Sequence, residues 1–214
     1  MQRSFVLSLA LASTAACANY SQLQDAETIP GGTTKIGVGA SFTKYKVAET
    51  NSANEKTLDS VSVPALVVTA RRGLTDRFEV QGTAWIPLGA RLGVKYQLLG
   101  DAGKPGLQMS IGAHAGYLSI TSGEGDTESS ATYIDGYLPL YVGYRVSPGF
   151  AIYTVPQYIL RSVSADGESD IGHVGGGTLG FAFGKNTKFH IEGGGFYDTL
   201  VESTIINTAL GFEF

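Results

Sequence analysis

The sequence predicts an all-β fold, a single antiparallel barrel of about ten strands closed as an up-and-down meander, with eight and twelve strands as the alternatives. Three observations predict it. Segments of about ten or more residues alternate apolar against small or polar side chains along most of the chain, and a β-strand sends successive side chains to opposite faces. The connections alternate too, long and polar after most odd strands and short after even ones. The last segment places Ile206, Leu210, Phe212 and Phe214 on one face and Asn207, Ala209, Gly211 and Glu213 on the other. A soluble β-sandwich is the rival reading.

The elements follow in order. Met1-Gln2-Arg3, an apolar run of about nine residues from Ser4 to Ala12 and the small residues up to Ala18 have the layout of a secretory signal peptide, assigned to 1–17. The run is too short for a spanning helix, which needs about 20 residues. Residues 18–32 are polar and end in Pro30-Gly31-Gly32, predicting a periplasmic tether ahead of a barrel over 33–214. Strands are expected at 33–47, 60–71, 77–86, 90–99, 107–121, 132–146, 150–163, 171–183, 188–199 and 203–214. The fourth is a clean example, with Leu92, Val94, Tyr96 and Leu98 against Arg91, Gly93, Lys95 and Gln97. Turn residues at 73–76, 101–106, 147–149 and 184–187 mark one rim, and polar stretches at 48–59, 122–131 and 164–170 mark the other. Pro64, Pro139 and Pro156 fall inside strands, where a missing N–H predicts bulges.

Composition narrows the setting. Charged residues are only 16% of the chain and mean hydropathy is +0.07, which suits a barrel with an apolar outside and a polar inside. In lipid every backbone group must be paired, and a closed barrel does this without an edge. The net charge of −4, with no basic patch, argues against nucleic acid. The single cysteine, Cys17, excludes a disulfide framework. Two readings of it stand side by side. Thr14-Ala15-Ala16-Cys17 is similar to a lipobox, though with threonine where leucine is usual, so Cys17 is a candidate lipid-attachment residue. Cleavage after Ala18 would instead discard it.

The alternating terminal strand, its aromatic end, the signal peptide and the loop pattern together resemble a small bacterial outer-membrane β-barrel of the OmpA/OmpX-like or OmpW-like kind, over essentially all of 33–214. No motif selects one family. The resemblance implies an outer-membrane location, contact with lipid and lipopolysaccharide, both termini in the periplasm, and Phe212 and Phe214 as a signal to the barrel-assembly machinery during insertion. The function expected is that of an integral outer-membrane barrel with a structural or surface-interaction role, closed or nearly closed, and the alternative is a narrow porin-like channel for small solutes.

Candidate functional residues fall in three groups. Lys35, Glu79, Arg91, Lys95, Asp135, Arg145, His190, Glu192 and Glu213 are assigned to the inner face. They form either a lumen filled by ion pairs or a lined pore, and long side chains in a narrow barrel favour filling. His173, Asp170 and Ser203, with Asp198 and Glu202 near the same rim, form the weak alternative of an outer-membrane hydrolase; the leading expectation is a protein that is not an enzyme and has no cofactor or metal. Acidic side chains in the long connections, such as Glu55, Glu124, Asp126, Glu128 and Asp166, read as loop solvation. Gly175-Gly176-Gly177-Thr178-Leu179-Gly180 fits G-x-G-x-x-G by letter, but no helix follows for a pyrophosphate to sit on. It reads as a thin strip of wall. Tyr20, Tyr45, Tyr96, Tyr117, Tyr133, Tyr144, Tyr158 and Tyr197 are read as interfacial girdles.

Overall fold

Ten strands form one closed antiparallel barrel, each paired with its neighbours in sequence and the last with the first. They are β1 (Thr34–Thr50), β2 (Lys56–Thr75), β3 (Phe78–Ile86), β4 (Gly89–Leu99), β5 (Gly106–Ser122), β6 (Ser129–Ser147), β7 (Phe150–Ala165), β8 (Glu168–Phe183), β9 (Lys188–Asp198) and β10 (Ser203–Glu213). The computed structural model describes residues 20–50, 56–86, 89–122, 129–165 and 168–214. Cys17, the signal-peptide segment, Glu55, Glu124, Asp126, Glu128 and Asp166 lie outside the described residues.

The period-two pattern maps onto the two faces of the wall. On β10 the inward side chains Ile205, Asn207, Ala209 and Glu213 are 0–5% exposed, whereas Ile206, Leu210 and Phe212 are 43–47% exposed. The same split runs round the barrel, with Val38, Leu92, Ile111, Leu138, Leu160 and Leu179 all facing out. Such a continuous apolar exterior on a closed sheet has lipid as its solvent. Tyr96, Tyr144, Phe183 and Phe212 belong to this exterior near the short-turn rim, and Tyr117, Tyr158 and Tyr197 lie toward the loop rim. Tyr20 and Tyr133 depart from the expected girdles: each is 1% exposed and lies inside the barrel.

Strand lengths divide the loop rim. A spanning strand needs about 9–11 tilted residues. β3, β4, β9 and β10 have 9 or 11, but β1, β2, β5, β6, β7 and β8 have 16 to 20. Three hairpins therefore carry about six extra residues per strand, roughly 20 Å of chain, beyond the spanning zone. Much of the expected loops 48–59, 122–131 and 164–170 is thus strand. Where both faces of a ribbon meet water, nothing selects an apolar alternation, so the pattern that announces a strand is missing.

The prolines do not produce the expected bulges. Register is constant through Pro64, which pairs with Phe42, through Pro139, opposite Gln157, and through Pro156, opposite Gly177. Glycine makes this possible, since a Cβ at Gly112 would lie 2.9 Å from Pro139 Cγ and one at Gly177 3.0 Å from Pro156 Cα. Shifts occur instead beside the short turns, at Gly73/Thr75, Gln97/Leu99 and Arg145/Ser147, where tight reversals need an extra residue.

The largest departure is at the N-terminal segment. Residues 20–29, expected as part of a periplasmic tether, run inside the barrel, and each is at most 7% exposed. The described chain starts in the loop-side half, where Tyr20 stacks on Phe196 with ring centroids 4.5 Å apart, two residues below the loop-side end of β9. It then descends to the short-turn rim. There Thr33 N donates to Pro30 O at 3.1 Å and Gly32 adopts φ 79°, a left-handed corner natural to glycine that turns the chain into β1. Phe214 ends at the short-turn rim, its N–H donating to Ile36 O at 2.9 Å. The two described ends thus do not share a rim.

The exit past the rim depends on Gly73. A Cβ there would lie 2.3 Å from Pro30 O and 2.4 Å from Ile29 O. Gly73→Val is expected to destabilise the barrel by about 1–3 kcal/mol, read by urea unfolding from lipid vesicles, with Gly149→Val, where a Cβ meets nothing within 4 Å, as the neutral control.

Candidate functional site

The inner surface and the segment threaded through it form one polar site. Buried inward positions of the wall, with Lys35 at the mouth, carry seven cations, Lys35, Arg71, Arg91, Lys95, Arg145, Arg161 and Lys188, against five carboxylates, Glu79, Asp135, Glu192, Asp198 and Glu213. Asp25 and Glu27 of the threaded segment bring the carboxylates to seven. Among the described residues, lumen charge is even only with that segment in place. Burial of unpaired charge is costly in proportion to desolvation, so this parity ties the segment to the wall.

Toward the short-turn mouth, Arg145 ion-pairs with Glu27 through both Nε and Nη2, and its Nη2 reaches Asp25 Oδ2 at 3.2 Å. Lys188 Nζ lies 2.6 Å from Asp25 and 3.4 Å from Glu27. Lys95 Nζ donates to the backbone carbonyls of Asp25 at 2.7 Å and Glu27 at 2.8 Å and sits 4.3 Å from the Tyr141 ring centroid, a cation over an aromatic face. Arg71 holds Glu79 through Nε and Nη2, both at 2.9 Å, and Glu213 through Nη1 at 2.6 Å. Lys35, at the rim, reaches Glu213 at 3.4 Å. A fork-shaped guanidinium suits such paired acceptors.

Midway, amides replace charges. Gln22 Nε2 donates to Gln157 Oε1 at 2.9 Å and its backbone N–H to Glu192 Oε2 at 2.9 Å. Gln24 Nε2 donates to Gln81 Oε1 at 2.6 Å, and Ser21 Oγ to Asn207 Oδ1. Tyr153 O–H donates to Glu192 at 2.9 Å and lies 3.2 Å from His190 Nδ1. The glycine-rich stretch of β8 belongs to this layer: a Cβ at Gly180 would fall 2.4 Å from Tyr153 Cζ and one at Gly176 2.6 Å from Phe196 Cδ1. The thin wall makes room for inward aromatic rings.

Toward the loop rim, Arg161 holds Asp135 through Nε at 2.9 Å and Nη2 at 2.8 Å, and Asp198 through Nη1 at 2.9 Å. Arg91 lies 5.4 Å from the Trp85 ring and 5.3 Å from the Tyr137 ring, and Tyr137 O–H donates to Asp135 at 3.1 Å. Leu118, Ala131, Tyr133 and Val163 pack around this end.

Of the residues singled out from sequence, Glu79, Arg91, Lys95, Asp135, Arg145, His190, Glu192 and Glu213 lie buried in the lumen, with Lys35 at its mouth. His114 is also inside, its Nε2 at 2.7 Å from Gln81 Nε2. Sequence reasoning passed over Arg71, Arg161, Lys188, Asp25 and Glu27. Arg71 and Arg161 obey the same alternation as the residues it found, whereas Asp25 and Glu27 lie in a stretch with no alternation to place them.

The rim cluster is not assembled. His173 faces outward from β8, stacked on Tyr158 with centroids 5.8 Å apart and hydrogen-bonded to its hydroxyl. Ser203 and Asp198 are buried on the inner face, and Asp170, at the top of β8, has the inward parity. The wall separates the imidazole from the hydroxyl and carboxylates that a triad would join, because odd and even positions of β8 face opposite ways. Among the described residues, no group of three or more histidine, cysteine, aspartate and glutamate side chains could hold a metal ion.

No family model matches the sequence, and neither does any curated protein. Among solved structures, the barrel is similar to the outer membrane protease OmpT from Escherichia coli, at 14% identity over 89% of this chain and 99% of that chain, with a TM-score of 0.46. It is similar to Neisserial surface protein A, at 9% identity over 84% and 95% with a TM-score of 0.43. It is also similar to Ail, the attachment invasion locus protein of Yersinia pestis, at 13% identity over 86% and 99% with a TM-score of 0.39. The fold itself is a closed antiparallel barrel of ten strands. None of the three structures is similar enough to carry a function across.

Replacing Arg145 removes the cation shared by Asp25 and Glu27 and leaves both to Lys188. Arg145→Gln is expected to cost about 3–5 kcal/mol, the range for breaking a buried pair, in urea unfolding from vesicles. Lys104→Gln, which removes only the exposed pair with Asp101, is expected to cost under about 1 kcal/mol.

Proposed function

We propose that this protein is an integral barrel of the bacterial outer membrane with a structural or surface-interaction role, held closed by its own N-terminal segment acting as a stopper. One observation carries the reading: residues 20–29 run down the lumen and bond to the wall at every level, from Tyr20 on Phe196 to Ile29 N donating to Glu79 at 2.9 Å. The apolar exterior supports placement in lipid, and the short-turn rim is read as periplasmic by analogy with other barrels of this kind. The tall hairpins β1–β2, β5–β6 and β7–β8 would then stand above the outer leaflet among lipopolysaccharide, where a surface role would be exercised. Phe212 and Phe214, exposed on the closing strand, are the residues proposed to address the assembly machinery.

The wild-type protein is expected to be silent in planar lipid bilayers. A stable, salt-dependent current step from pure, folded protein would overturn the closed reading in favour of a narrow channel for small solutes. Hydrolysis at the rim is not favoured by the placement of His173. His173→Ala is expected to change no lipid- or peptide-cleaving activity, and a specific loss in that variant would revive the enzyme reading.

A further inference from the structure

The geometry points to a seat for small carboxylate- or phosphate-type anions at the short-turn mouth of the lumen, filled at rest by the carboxylates of Asp25 and Glu27, so that withdrawing the stopper leaves an anion-selective passage. This rests on the reading of residues 20–29 as a stopper.

The wall cations near the short-turn mouth differ in what holds them besides the stopper. Arg71 is held by Glu79 and Glu213 of the wall itself. Arg145 and Lys188 make their ion pairs to Asp25 and Glu27. Lys95 donates to stopper carbonyls and to Gln24 Oε1 at 3.3 Å. Among the described residues, no wall carboxylate lies within ion-pair distance of these three. With the stopper gone, Arg145, Lys188 and Lys95 would line one stretch of the lumen as uncompensated cations, while the nearby wall carboxylates Glu79 and Glu213 stay tied to Arg71. A narrow, low-dielectric passage with one uncompensated sign concentrates the opposite ion.

The seat can also be reached while the stopper is in place. A cavity of about 260 Å³ opens at the short-turn mouth, bordered by Asp25, Glu27, Lys35, Arg145 and Lys188. A small anion entering there meets the groups that hold the stopper's carboxylates and competes for the same donors. Both internal occupants are carboxylates, and the donor set is one bidentate guanidinium with ammonium groups, a combination that suits carboxylate and phosphate alike.

Planar-bilayer recording tests the assignment with two variants of the mature chain, one lacking residues 20–29 and one carrying Asp25→Asn with Glu27→Gln, which leaves the whole backbone intact. In a tenfold potassium chloride gradient, both are expected to conduct with chloride favoured over potassium by about threefold or more. Adding Arg145→Gln and Lys188→Gln to the deletion is expected to bring that ratio to about one. Potassium preference, or no preference, in the folded deletion variant would overturn the anion seat, as would a folded deletion variant that never conducts. A failure of anion preference alone leaves the stopper reading standing, whereas a folded deletion variant that never conducts, or a wild type that conducts like the deletion variant, removes the stopper reading itself. On the unmodified protein, silent in chloride, replacing chloride by succinate or phosphate on the short-turn side at constant ionic strength is expected to produce brief openings. No change there counts against competition for the seat.

Discussion

Charge neutrality inside a narrow closed sheet is the constraint on which the rest of this structure depends. Closing ten strands into a ring satisfies the backbone, but it also commits every second side chain to a space with little water. Seven cationic side chains enter that space from the wall and only five buried carboxylates accompany them. Asp25 and Glu27 complete the set from the one segment that is not part of the wall. The burial of a polar N-terminal stretch, which looks costly residue by residue, is therefore favoured by the barrel's own inner charges.

That pairing shapes the neighbouring geometry. The stopper must enter past the rim, and Gly73 gives it passage where any side chain would meet the Ile29 and Pro30 carbonyls. Glutamines then align with glutamines and tyrosines in the middle layer, where amides can be both donor and acceptor at once. The large inward rings of Tyr153 and Phe196 lean over glycines of β8, so the wall thins where the contents are bulky. Each feature is local, yet all of them follow from filling one lumen.

The outside obeys a different constraint. Lipid selects an apolar face over the spanning length and stops selecting above it. The strands β3, β4, β9 and β10 end near that limit, while the other six continue as ribbons in water. His173 and Ser203 illustrate how firmly the two faces are kept apart. They are near in the sheet, but the parity of their strands puts one outside and the other inside.

The sequence by itself determined the barrel, its ten strands, its apolar exterior and most of its inward charges, because a period of two and an alternation of turn lengths are local properties that lipid and water enforce residue by residue. Leu92 to Gln97 could be assigned to faces without any partner. The upper ribbons escaped that reasoning, since water on both sides imposes no pattern. Only the tertiary structure decided where residues 20–29 go. A short polar stretch carries no periodicity, and its place depends on a sum over side chains scattered from Lys35 to Glu213. That sum exists only once the ring is closed, and it draws Asp25 and Glu27 inside.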